Sequence, residues 1–190
     1  MAESRYERQF GINTAQIKQS NSPKFYHYQG ASYLVLLKIL PQIFKHTQAF
    51  TFFDIGCGKG RAAFVAESCG YKKLMGIDLD EELILNANEN LKIYKKREES
   101  KIDFYKSNAL TFDYKNEPTV YFMFNPFNND ILKEVLDRIL NATTSETYFI
   151  YMNPKHAGVF DDYHFELVNT IKTKRYTEAV IYKLKEINFL

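Results

Sequence analysis

The chain has 190 residues, 45% of them hydrophobic, which suits one domain with a sizeable core rather than two full domains. Its 25 basic and 23 acidic residues give a net charge of +2, so no chain-wide field argues for nucleic acid or an anionic membrane as partner. Two cysteines, Cys57 and Cys69, are too few for a disulfide framework or a cysteine zinc site. No apolar run reaches the roughly 18 residues of a membrane span, and the opening Met1-Ala2-Glu3-Ser4-Arg5 lacks a signal peptide's apolar segment. A reduced, cytoplasmic protein without metal or membrane is the expectation.

Residues 1–48 read as a lead-in segment. The first 22 residues or so are polar, and a short helix or mobile arm is expected around Ala15–Lys18, between Asn13-Thr14 and Ser20-Asn21-Ser22-Pro23. Phe25-Tyr26-His27-Tyr28-Gln29 follows, then a helix from about Ala31 to Phe44 with Leu34, Leu37, Ile39 and Leu40 on its apolar face. The apolar run Ala49–Phe53 next leads into Asp54-Ile55-Gly56-Cys57-Gly58-Lys59-Gly60-Arg61, a strand, a tight turn and a helix start. Glycines at alternate positions admit positive φ and let a ligand approach where a Cβ would collide, and the N–H groups of the following helix point at that ligand.

A helix from Arg61 to about Ser68 stops at Gly70, and the strand Lys73–Ile77 ends in Asp78. Asp80 is the expected N-cap of a helix over Glu81–Lys96, which leaves Asp78 for a ligand. Ile102–Lys106 is a third strand, ending at Ser107-Asn108-Ala109. Val120–Phe124 is apolar throughout, as a central parallel strand should be, and delivers Asn125-Pro126-Phe127. A helix over about 130–140, a strand Tyr148–Met152 ending in Asn153-Pro154 near His156, and two alternating strands, Phe165–Lys174 and Glu178–Glu186, complete the chain as a hairpin.

The Asp54-x-Gly56-x-Gly58-x-Gly60 spacing differs from the Gly-x-Gly-x-x-Gly of dinucleotide enzymes, which disfavours a nicotinamide oxidoreductase. It resembles motif I of the class I S-adenosylmethionine-dependent methyltransferases. That resemblance implies an α/β, Rossmann-like fold over residues 49–190: a seven-stranded, mostly parallel sheet in the order 3-2-1-4-5-7-6, helices on both faces and a C-terminal antiparallel hairpin. It implies S-adenosylmethionine as cofactor and S-adenosylhomocysteine as product. Gly56, Cys57, Gly58 and Gly60 would then wrap the methionine half, with Asp54 acting through its ammonium group.

Gly76-Ile77-Asp78-Leu79-Asp80 resembles motif II of the same family, which assigns the ribose hydroxyls to Asp78 and the adenine face to Leu79. Asn108, with Ala109, falls where the family places an acceptor for the adenine amino group, although Asn at a strand end is equally an ordinary turn residue. Asn125-Pro126-Phe127 resembles motif IV of amino-methylating members, whose Asn oxygen and proline carbonyl hold a planar nitrogen while an aromatic ring stacks on the target. The second proline of that motif is missing here, and the competing reading makes Asn125 an N-cap with Pro126 as first helical residue. Tyr26 and Tyr28 are candidates for a lid or substrate wall, or else pack the lead-in helix on the sheet. Methyl transfer to nitrogen of a protein or nucleic acid is expected, against an oxygen or small-molecule acceptor and against a non-catalytic cofactor-binding partner. Acceptor and oligomeric state stay open.

Overall fold

The structure is a computed structural model that describes residues 2–15, 29–95 and 99–185. Its centre is built by the apolar runs of the sequence: β1 (Thr51–Ile55), β4 (Thr119–Phe124) and β5 (Thr147–Met152) are buried along nearly their whole length, because both of their faces are covered. β2 (Lys73–Asp78) and β3 (Lys101–Lys106) extend the sheet on one side, and β6 (Phe165–Lys172) and β7 (Thr177–Leu184) on the other. The order is β3-β2-β1-β4-β5-β7-β6, with β1 to β5 parallel and β7 antiparallel to both β5 and β6. The expected sheet is thus present strand for strand.

Alternate residues of each strand feed two cores. Phe52, Val120, Phe122 and Ile150 face α2 (Tyr33–Thr47), α3 (Arg61–Cys69) and α4 (Glu81–Ile93). Phe53, Tyr121, Met123 and Phe149 face α5 (Asn129–Ala142), a 3-10 turn at Ala157–Asp162 and the β3–β4 connection, which contributes Ala109 and Tyr114 in place of a helix. Helix ends follow side-chain chemistry. Gly70, at φ 118°, closes α3 with its N–H on the Ala66 and Glu67 carbonyls. Asp80 caps α4 by accepting from the Glu82 and Leu83 N–H groups, as its sequence position predicts.

The N-terminal segment holds a helix that the sequence pattern does not mark. This helix, α1, spans Ala2–Phe10, where Tyr6 and Phe10 find Tyr33 as a partner and stack on it at centroid distances of 5.3 and 5.6 Å. Tertiary packing stabilises a stretch that its own polarity does not mark. Residues 16–18, and with them Tyr26 and Tyr28, lie outside the described residues.

Candidate functional site

The carboxyl ends of the parallel strands carry the candidate residues, as open α/β sheets generally do. Asp54 lies within β1 one residue from its end, and Gly56, Gly58 and Gly60 follow with φ of 77°, 53° and 84°. The turn is held from beneath by β2: the Gly56 and Cys57 N–H groups both donate to the Ile77 carbonyl at 2.9 Å, and Gly58 N–H donates to Asp78 Oδ2 at 2.9 Å. A Cβ on Gly60 would stand 2.6 Å from the Phe104 ring, so a side chain there collides as well as strains. From the far side Asn90 ties the loop to the N-terminal segment, donating to the Lys59 carbonyl and exchanging hydrogen bonds with the Asn13 backbone.

Asp54 is 2% exposed, and no described residue gives its carboxylate a hydrogen bond. Burial first, and the neighbouring Asp78 charge second, push its carboxyl well above the usual range. Burial also raises Asp78, while N–H bonds from Asp80 and Gly58 act against the rise. Cys57 is held as a neutral thiol by burial and by the same two carboxylates. A ligand carrying an ammonium group beside Asp54 and a diol beside Asp78 would relieve both acids, so the donor set fits S-adenosylmethionine. Leu79 is 47% exposed and offers an apolar face next to Asp78. Asn108 is less committed to a ligand than its position implies: its amide oxygen accepts the Leu110 N–H at 2.9 Å, an ordinary turn contact.

At the end of β4, Asn125 takes φ 44° and is 4% exposed. Its Oδ1 accepts the hydroxyl of Tyr151 at 2.7 Å, and that hydroxyl in turn receives the His156 backbone N–H at 3.4 Å. Asn125 does not cap α5. That place belongs to Asn128, whose Oδ1 accepts the Ile131 N–H at 3.0 Å, so the helix starts three residues later than the cap reading requires. Pro126 packs over the glycine loop, where a Cβ on Gly56 would stand 3.0 Å from its own. Phe127 is 7% exposed and packs in the second core, so the stacking role that the motif implies does not suit it.

Tyr151 is the functional candidate that the sequence hid. It sits inside a uniformly apolar strand, and only the register that pairs it with Met123 of β4 brings its hydroxyl beside Asn125. A second Asn-Pro turn, at Asn153 with φ 48°, ends β5 next to the first.

A family described as a methyltransferase domain matches residues 46–183. An uncharacterised protein of Methanocaldococcus jannaschii, MJ0284, is 32% identical over 121 residues, covering 63% of this chain and 48% of its own length. The chain therefore spans about half the length of that curated relative. Among solved structures, a proposed RNA methyltransferase of Pyrococcus horikoshii superposes with a TM-score of 0.63 at 16% identity, over 97% of this chain and 98% of that one. Magnesium protoporphyrin IX methyltransferase of Synechocystis, solved with bound S-adenosylmethionine, gives 0.57 at 12% identity, over 79% of this chain and 77% of that one. At such identities the likeness is one of fold.

Proposed function

The chain belongs to the class I S-adenosylmethionine-dependent methyltransferases, and from that premise we propose that it methylates a nitrogen of a protein or nucleic acid held at Asn125 and Pro126. When bound, the cofactor supplies a methyl group made electrophilic by its sulfonium. The protein then has to orient a nucleophile and exclude water, with no covalent residue of its own. The reading is supported above all by the contact of Pro126 with Gly56, which sets the acceptor-side turn directly against the cofactor loop. Asn125 Oδ1 keeps a second lone pair beside the one that Tyr151 occupies, and the Pro126 carbonyl is a further acceptor for a planar nitrogen's hydrogens.

Calorimetric titration with S-adenosylhomocysteine tests the premise. Micromolar binding is expected, and Asp78→Ala should weaken it by about tenfold or more, since two charge-assisted contacts to the ribose are lost. Absence of binding in the unmutated protein would leave only the non-catalytic reading. Asn125→Ala should lower turnover by about tenfold or more while leaving the dissociation constant within about twofold, the pattern of a group that positions the acceptor. Equal loss of both would remove Asn125 from that role.

An oxygen acceptor is the second reading, favoured by one observation. Tyr151 holds Asn125 Oδ1, while the amide nitrogen is bonded to no described residue and could donate to an oxygen. Mass spectrometry of the methylated product separates the two.

A further inference from the structure

Lysines elsewhere on the sheet's surface are mostly matched. Lys72 pairs with Glu99, Lys73 with Glu117, Lys101 with Asp103, Lys106 with Glu81 and Lys183 with Glu146. The β6–β7 turn breaks that habit. Lys172, Lys174 and Arg175 are all exposed, and none forms an ion pair with a described residue. The one acid between 172 and 178 is Glu178, whose carboxylate lies near the Tyr176 hydroxyl and raises its pKa.

Register places this turn on the site's edge. β7 runs antiparallel to β5 with Ala179 opposite Met152, and the Asn153 N–H donates to the Glu178 carbonyl at 2.8 Å, so residues 173–176 project past the carboxyl end of β5. Two strand spacings separate β7 from β4, about 10 Å sideways from Asn125. The turn is also preformed. Thr173 N–H donates to the Tyr176 carbonyl at 3.0 Å, and Thr173 Oγ1 accepts the Arg175 and Tyr176 N–H groups at 3.3 and 3.2 Å. Tyr176 is 61% exposed beside the three cations, and Lys155 stands exposed on the neighbouring loop. Unmatched cations flanking an exposed ring on an ordered turn suit phosphates and a stacked base.

We propose that the Lys172–Tyr176 turn grips the backbone of a single-stranded nucleic acid whose target base is presented at Asn125. The assignment deepens the methyl-transfer reading and rests on it for the fate of the base. The net charge of +2 conceals this patch because acids elsewhere in the chain offset its three cations in the total.

The test is fluorescence anisotropy of a labelled single-stranded RNA against rising salt, for the unmutated protein, for Lys172→Ala/Lys174→Ala/Arg175→Ala, and for Lys72→Ala/Lys73→Ala/Lys101→Ala at the opposite edge. The turn variant should bind about tenfold or more weakly, with a salt slope smaller by about 2, as expected for three lost phosphate contacts on a single strand. The opposite-edge variant should keep both values. Equal affinity and slope in the turn variant, or a polyglutamate peptide binding the unmutated protein as tightly as the RNA, would overturn the proposal, the latter in favour of an acidic protein acceptor. Calorimetry with S-adenosylhomocysteine on the same samples reports separately: its failure strikes the methyl-transfer reading and leaves the RNA result standing on its own.

Discussion

Replacing Arg61 by Ala should lower the melting temperature by about 10 °C, corresponding to about 3–5 kcal/mol for breaking a buried ion-pair cluster by removing one partner. Arg61 is 4% exposed at the first turn of α3. Its Nη1 reaches Glu3 Oε2 at 2.6 Å and the Ala31 carbonyl at 2.8 Å, its Nη2 reaches Glu7 Oε1 at 3.2 Å, and its Nε donates to Thr14 Oγ1 at 2.6 Å. The Tyr33 ring lies 4.4 Å below the guanidinium, and Tyr33 and Thr14 both donate to Glu7. Without the cation, Glu7 keeps a carboxylate whose side chain is 11% exposed and has no opposite charge among the described residues. Pairing the change with Glu7→Gln should recover part of the loss, and a double-mutant cycle measures how much. A melting point within about 2 °C of the unmutated protein would show that solvent replaces the cluster at little cost.

Asp54→Asn should act in opposite directions on stability and binding. The folded-state carboxyl is raised, so between its unfolded and folded pKa the native state binds more protons, and the stability of the ligand-free protein falls as pH rises through that window. Above the window the ionised, desolvated carboxylate is a standing penalty. The neutral amide removes it, and the melting temperature above that window should rise by about 3 °C, from about 1 kcal/mol or more. Affinity for S-adenosylhomocysteine should fall about 100-fold as the charged partner of the ammonium is lost. In the unmutated protein the same affinity should weaken on acidification, because protonating Asp54 removes that charge. Unchanged affinity in the variant would separate Asp54 from the ligand.

The sheet was legible because its information is local. Apolar runs of strand length, glycine and proline stops, and acids at strand ends fix β1 to β5, and the capping role of Asp80 follows from its place just before a helical pattern. The cap of α5 was not legible in the same way. Asn125, Asn128 and Asn129 are all good cap formers, and the choice among them falls to Tyr151, which claims Asn125 across a strand pair. Phe127 stands at the place of the motif's stacking ring, and only the packing shows that the second core takes it up. The Arg61 cluster is the least visible of all: Glu3 and Glu7 lie 58 and 54 residues away in a polar stretch, and no periodicity links them to the helix they dock on.

The proline after Asn125 also bears on how the site ages. An asparagine loses its amide spontaneously when the nitrogen of the next residue attacks the side-chain carbonyl to close a succinimide. Proline carries no N–H to give up in that ring closure. Asn125 and Asn153, the two described non-glycine residues held at positive φ, are both followed by proline. The commonest chemical clock on asparagine is therefore stopped at two turns on the carboxyl edge of the sheet, where a change to aspartate would add a negative charge.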